Sequence, residues 1–119
     1  MKIAVTSKGT DLDSQVDPRF GRAAYILIVD TENLKFEVLD NKDNVNAFKG
    51  AGIQAASMVS DKGAEVLLTG FCGPNAFKAF DAAKIKVAND VSGTVRDAVK
   101  AFNEGRYVFS DKANVEGQW

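Results

Sequence analysis

The sequence predicts one α/β domain with three layers, in which three helices cover a mixed sheet of about five strands. The chain has 119 residues, which suits a single hydrophobic core. From residue 50 onward, short apolar runs alternate with amphipathic helical patterns, as in βαβ units. Before residue 50, three strand-like runs follow one another, which predicts an antiparallel meander.

The three strand-like runs lie in the first third of the chain. Lys2–Val5 is a short, partly β-branched run that suits a first strand. A long polar loop with strong turn signals, Thr6–Arg22, follows it. Ala23–Asp30 and Lys35–Asn41 flank the turn-like segment TENL, so we expect them to form a hairpin.

Helices and strands alternate in the rest of the chain. Gly50–Gly63 has helical apolar spacing and ends at a glycine, the residue that commonly follows a helix. Ala64–Gly70 is a continuous apolar run typical of a buried parallel strand. Pro74–Lys84 predicts a second helix, and Ile85–Asp90 predicts a short fifth strand.

The last helix has a clear apolar stripe, with Ser92 as its expected N-cap and Gly105 as its expected end. The sequence therefore predicts one domain over residues 1–105. Residues 106–119 begin apolar and turn polar, so we expect a C-terminal tail that either adds an edge strand or frays.

Composition limits the chemistry and the setting of the protein. The chain has no histidine and one cysteine, Cys72, which excludes a histidine general base and zinc sites built from several thiols and imidazoles. The formal charge of −1 argues against a nucleic-acid surface, and no apolar run is long enough for a membrane span. A single cysteine cannot form an internal disulfide, so a cytoplasmic setting is expected.

The predicted topology places a candidate site at one edge of the sheet. If the first, fourth and fifth strands are parallel with right-handed crossovers, their carboxyl ends share that edge. Ligands of open α/β sheets bind at such ends where the strand order reverses, here between the first and fourth strands. Four segments meet there and are called the loop edge: Thr6–Arg22, Asn41–Gly50, Gly70–Pro74 and Asn89–Thr94.

The residues of the loop edge favour an anionic ligand. Three of its segments lead into helix N-termini, which offer N–H groups and partial positive charge. Arg19, Arg22 and Lys49 add cationic side chains, and Phe20 and Phe71 are expected to form apolar walls. The backbone expected to approach the ligand belongs to Gly50, Gly52, Gly73, Pro74 and Asn75.

These features also have ordinary structural interpretations. Glycines where loops join helices often serve turn geometry alone. The two arginines could form solvated pairs with Asp11, Asp13 or Asp17 in their own loop. Cys72 is either an inert buried residue or a soft metal ligand, and a helix N-terminus tends to lower a thiol pKa.

Four short motifs together resemble the dinitrogenase iron-molybdenum cofactor biosynthesis family: DPRFGRA, GAGIQAA, GPNAF and GTVRDAVKAF. They occur in the family's order, from Met1 to about Gly105. The resemblance implies a ribonuclease-H-like α/β fold and a role in carrying or assembling metal–sulfur clusters for nitrogenase. It is strongest to those members that hold a molybdenum–copper sulfide cluster without a dense set of covalent ligands.

The resemblance implies that a molybdenum–copper sulfide cluster, or one of the iron–molybdenum type, binds at the loop edge near DPRFGR, KGAG and FCGPN. Many relatives carry histidine where Arg19 stands or before the first helix. A guanidinium replaces coordination by charge pairing, which favours a preassembled polyanion over a bare metal ion. The expected function is a non-enzymatic carrier or scaffold, with assembly or cluster-receiving proteins as partners.

Two alternatives stay open at this stage. One is an enzyme that acts on a small phosphorylated or carboxylated metabolite at the loop edge, with Asp17 or Asp90 as acid or base. A two-metal nuclease would need several carboxylates converging on strands, whereas the strands here are mainly apolar. The other is a signalling partner that binds no ligand.

Overall fold

A computed structural model of the chain describes residues 1–41 and 51–109. A short 3-10 turn, Phe20–Arg22, lies in the loop after the first strand. The strands and helices in chain order are β1 Lys2–Ser7, β2 Tyr25–Asp30, β3 Phe36–Asp40, α1 Ala51–Asp61, β4 Val66–Leu68, α2 Pro74–Ala82, β5 Lys86–Ala88 and α3 Val95–Asn103.

The strands form one mixed sheet in the order β3-β2-β1-β4-β5. β1, β2 and β3 are an antiparallel meander, while β4 pairs parallel to both β1 and β5. In the central strand, Ile3 lies opposite Val29 on one side and Val66 on the other. The five-stranded mixed sheet is confirmed, and the strand order reverses between β1 and β4 as predicted.

Alternating side chains of the sheet enter two separate cores, as the two-residue period of a strand requires. Ala4 faces a core closed by α1 and α2, through residues such as Val59 and Phe80. Ile3 and Val5 face a second core, closed by α3. Helices therefore cover both faces of the sheet, which confirms the three-layer arrangement.

β1 continues two residues beyond its predicted end. Thr6 and Ser7 pair with Ile26 and Tyr25, and both polar residues are fully buried. A buried hydroxyl costs stability unless it is hydrogen-bonded. Thr6 meets this requirement because its Oγ1 donates to the backbone carbonyl of Asp17 at 2.6 Å.

The N-cap of α3 is Thr94, so the prediction of Ser92 was wrong. Thr94 Oγ1 accepts a hydrogen bond from the Asp97 amide at 3.1 Å. Gly93 has φ 88°, a left-handed conformation that turns the chain between the two candidate caps. The helix therefore begins after Thr94.

We expect Thr94→Ala to lower the free energy of unfolding by about 1 kcal/mol, the usual cost of losing an N-cap hydroxyl. Ser92→Ala is the matched control, because Ser92 is exposed and precedes the cap, and it should cost a few tenths at most. Urea unfolding of both variants measures the difference. Equal losses would contradict the assignment of the cap.

The chain after α3 folds back onto the domain. The centroids of the Phe109 and Phe102 rings are 6.5 Å apart. Lys86 Nζ lies 5.3 Å from the centroid of the Phe109 ring. Residues 106–109 form no strand, and the rest of the expected tail lies outside the described residues. Within residues 1–41 and 51–109, no helix has the length and apolar character needed to cross a bilayer.

Candidate functional site

The loop edge forms where the predicted topology puts it, at the carboxyl ends of β1 and β4. The loop after β1 folds back so that Val16 pairs with Ser7, and Gln15 pairs with Thr94 beside the start of α3. A third pairing joins Arg19 to Phe71 in the loop after β4. Three of the four predicted segments therefore meet.

The fourth segment, Asn41–Gly50, is described only at Asn41. That side chain is buried, and its Nδ2 donates to the carbonyl of Ala23 at 2.8 Å. Lys49 and Gly50 lie outside the described residues, and Gly52 lies in the first turn of α1. The predicted roles of these three residues in the site stay predictions.

Two buried threonines occupy the point where the strand order reverses. Thr6 and Thr69 stand at the ends of the adjacent strands β1 and β4, and their hydroxyl oxygens are 3.0 Å apart. The Asp17 amide donates to the Thr6 carbonyl at 2.9 Å, so that Thr6 holds Asp17 through both backbone and side chain. The pair thus ties the loop after β1 to the end of the sheet.

The same loop docks onto the segment after β4 through two backbone hydrogen bonds. The Phe71 amide donates to the Pro18 carbonyl, and the Phe20 amide donates to the Phe71 carbonyl at 3.1 Å. Gly70 permits this close approach, because a Cβ there would lie 2.6 Å from the Pro18 carbonyl oxygen. Real Cβ atoms essentially never come that near to backbone, so the docking requires glycine at position 70.

Arg19 and Phe71 form the outward face of the docked loop. As directly paired residues, they project from the same side of the backbone, and both are exposed, Phe71 to 38%. The buried carboxylate of Asp17 accepts from the Arg19 amide at 3.1 Å, which fixes the backbone that carries the guanidinium. These two side chains are called the Arg19–Phe71 pair.

The two phenylalanines predicted as apolar walls have different positions. The Phe20 ring is 1% exposed and packs edge-on against Phe80, with centroids 4.9 Å apart. It anchors the 3-10 turn in the core, so its ring does not face the solvent side of the loop edge. Phe71 is the one that presents its ring there.

Arg19 is exposed to solvent, and two of the aspartates expected to pair with it make other contacts. Asp13, one of its predicted partners, instead pairs with Arg96 at 3.0 Å. Asp11 accepts from the Asp13 amide at 2.9 Å. Within residues 1–41 and 51–109, no ion pair joins Arg19 to an aspartate of its own loop.

The helix α2 begins three residues after Phe71 in the chain. Its N-cap is Gly73, which has no side chain to cap the first turn, and Pro74 occupies the first helical position. The amides of Asn75 and Ala76 have no partner inside the helix, as in any first turn. Together with the Arg19–Phe71 pair, this end of α2 offers positive potential and N–H donors.

Cys72 lies behind this surface and not on it. Its side chain is 0% exposed, and burial raises its pKa from the ordinary value of 9.0 to about 12. Its Sγ lies 3.8 Å from the Gly73 carbonyl oxygen, to which the thiol donates. The expected lowering of the pKa by the helix is therefore overcome by desolvation, and the thiol is protonated at neutral pH.

The carboxylates considered for acid–base chemistry have structural surroundings. Asp17 is buried and holds the Arg19 amide, while Asp90 is exposed in a turn with φ 63° whose amide donates to Gly70. Over the described part of the chain, no group of three or more histidine, cysteine, aspartate and glutamate residues could hold a metal ion. Arg19 and the N–H groups at the start of α2 are among the polar groups that the described part of the loop edge exposes.

Sequence reasoning missed the residues that support this surface, namely Thr6, Thr69, Pro18 and Gly70. The threonines left a usable signal, because each one ends a run of apolar strand residues with a hydroxyl. The contact of Gly70 with Pro18 spans 52 positions of the sequence and has no local signature.

Comparisons with known proteins identify relatives over nearly the whole length. A family model described as dinitrogenase iron-molybdenum cofactor matches residues 1–105. The apo form of the orange protein from Desulfovibrio gigas is 46% identical, covers 96% of both chains and superposes with a TM-score of 0.93. A protein from Thermotoga described as NifB-like is 38% identical over 98% of both chains, with a TM-score of 0.83.

A further relative is an uncharacterized protein of Methanocaldococcus jannaschii. It is 28% identical over 109 residues, which are 89% of this chain and 88% of the relative. The two solved structures therefore share the fold over nearly the whole chain.

Proposed function

The chain belongs to the dinitrogenase iron-molybdenum cofactor family, and we propose that it is a non-enzymatic carrier or scaffold for an anionic molybdenum-containing metal–sulfide cluster. The family's name and the likeness to the orange protein and to a NifB-like protein support a cluster-binding role. The observation that carries the proposal is the exposed Arg19–Phe71 pair, which lies in the chain just before the glycine-capped N-terminus of α2.

This surface suits a preassembled cluster better than a bare metal ion. A metal ion needs several donor side chains, and the described residues contain no such group. In a sulfide cluster, sulfide already fills much of the coordination of the metals, so the protein need only balance charge and donate hydrogen bonds. Arg19, Arg22 and the amide of Asn75 can do so without a covalent bond.

The proposed cargo is a molybdenum–copper sulfide cluster in the first place and an iron–molybdenum type in the second. Lys49, Gly50 and Gly52 are proposed as further members of the site, and Gly73 and Pro74 shape the start of α2. Phe20 supports the site from the core. Assembly proteins or cluster-receiving proteins are the proposed partners.

Reconstitution tests the proposal directly. Metal-free protein is mixed with tetrathiomolybdate and a copper salt, and excess reagent is removed by gel filtration. We expect visible absorption and molybdenum to elute with the protein. Colourless, molybdenum-free protein after this treatment would exclude the proposed function.

We expect Arg19→Gln combined with Arg22→Gln to lower cluster retention about tenfold at low salt, because two charge-assisted contacts are lost. Salt screens exposed charges, so retention by the variant should fall less steeply with ionic strength than retention by the wild type. The control is Arg106→Gln, since Arg106 pairs with Glu104 at the other end of α3. Equal retention by all three proteins would remove the electrostatic argument.

A further inference from the structure

In the Arg19–Phe71 pair, a cationic residue and an aromatic residue are joined by a direct backbone pairing at the loop edge. Hydrogen bonds fix the backbone of both residues. The Phe20 amide donates to the Phe71 carbonyl at 3.1 Å, and the Arg19 amide donates to the Asp17 carboxylate at 3.1 Å. Phe71 is 38% exposed although it follows a fully buried strand. The backbone pairing therefore carries the Arg19 and Phe71 side chains on the same side of the loop, and both are exposed.

These two groups differ in what they recognise. A guanidinium attracts any anion, and its planar N–H donors bind oxygen and sulfur acceptors alike. An aromatic ring offers no hydrogen bond to a strongly hydrated oxygen, so an oxyanion loses hydration against it. Sulfur is polarizable and makes favourable contacts with aromatic rings.

We propose that the Arg19–Phe71 pair makes the loop edge selective for thiometallate anions over oxyanions of the same shape and charge. The inference rests on the proposed function and adds its selectivity. Arg19 supplies attraction common to both classes of anion. Phe71 is the specificity-determining residue, because its ring stabilises bound sulfide and does not stabilise bound oxide.

Tetrathiomolybdate and molybdate provide the probes, because both are tetrahedral dianions of molybdenum. Equilibrium dialysis at one pH and one ionic strength, with molybdenum measured by mass spectrometry, gives both affinities with the same readout. We expect the wild-type protein to bind tetrathiomolybdate more tightly than molybdate. Phe71→Ala should weaken tetrathiomolybdate binding about two- to tenfold, the range of a sulfur–aromatic contact, and leave molybdate binding unchanged.

Two control variants separate ring chemistry from other effects. Phe36→Ala removes a ring of similar exposure, 40%, from the end of β3 that lies away from the loop edge. This substitution should change neither affinity. Arg19→Gln should weaken the binding of both anions by similar factors. The ratio of the tetrathiomolybdate affinity to the molybdate affinity then stays constant. Phe71→Leu keeps apolar volume without a ring and decides the matter if Phe71→Ala fails to fold, as judged by circular dichroism.

The outcomes distinguish the inference from the function beneath it. Tetrathiomolybdate binding with a ratio that Phe71→Ala and Phe71→Leu leave unchanged would overturn the selectivity and retain the carrier function. Failure of the wild-type protein to bind tetrathiomolybdate at all would overturn both. A ratio that falls in the Phe71 variants, and in neither Phe36→Ala nor Arg19→Gln, supports the proposal.

Discussion

Iodoacetamide is expected to modify Cys72 about a thousandfold more slowly in the native protein than in the unfolded chain at pH 8. The thiolate is the reactive form, and burial raises the pKa of Cys72 from 9.0 to about 12, which lowers the thiolate fraction by about that factor. Full burial of the side chain slows access further. Mass spectrometry of protein alkylated for increasing times, with and without guanidinium chloride, measures the ratio.

The raised pKa of Cys72 also predicts how stability depends on pH. The unfolded chain releases the thiol proton near pH 9, whereas the native state keeps it until about pH 12. The contribution of the protonated Cys72 thiol to the free energy of unfolding is therefore complete below pH 9 and is lost as the pH rises toward 12. At pH 10 the wild-type protein should have lost about 1.4 kcal/mol more than Cys72→Ala, relative to pH 7.5.

Denaturant unfolding of both proteins at the two pH values tests this difference. Cys72→Ala is the suitable reference because other titrating groups, including Tyr107, are common to both proteins. Alkylation of native Cys72 at the unfolded rate would contradict its burial and restore the interpretation of the thiol as a metal ligand.

Gly70→Ala should be the most damaging single substitution at the loop edge. The new Cβ would lie 2.6 Å from the Pro18 carbonyl oxygen and 2.7 Å from its Cα, and backbone atoms cannot move aside as a side chain can. We expect a loss of about 2–3 kcal/mol in unfolding free energy, typical of overpacking. The Arg19–Phe71 pair would be displaced as well, so cluster retention should fall with stability.

Gly63→Ala is the matched control for Gly70→Ala. Gly63 has φ 76° and open space around it, so an added methyl group costs backbone strain of about 1 kcal/mol without any steric contact. Urea unfolding and reconstitution with tetrathiomolybdate should show that Gly63→Ala loses less stability and keeps the cluster. Equal stability and equal retention in both variants would contradict the docking role of Gly70.

Patterns along the chain were sufficient to predict the fold. Apolar runs such as Ala64–Gly70 are long enough for strands and too short for helices, and Gly63 and Gly105 stand two residues beyond α1 and α3. Short connections and right-handed crossovers between such elements allow only a few sheet topologies. The ribonuclease-H-like classification, which came from the family resemblance, stays a prediction.

Details that depend on tertiary contacts were beyond the sequence. Ser92 and Thr94 are both good N-caps, and only the turn at Gly93 selects the second. Phe20 and Phe71 are both loop phenylalanines, and only the docking of the two loops buries one and exposes the other. The pKa of Cys72 likewise depends on burial, which the adjoining helix does not reveal.

The anchoring of Phe20 bears on the thermodynamics of loading. Its ring packs on Phe80 in the core. Thr6 holds Asp17 through its hydroxyl and its backbone carbonyl, and Phe71 holds Pro18 and Phe20 through its backbone groups. The loop that carries Arg19 is therefore ordered when the domain folds and not when a ligand arrives. Binding of an anion there therefore carries no entropy cost for ordering this loop. The rate of association can then be limited by diffusion and by the removal of water.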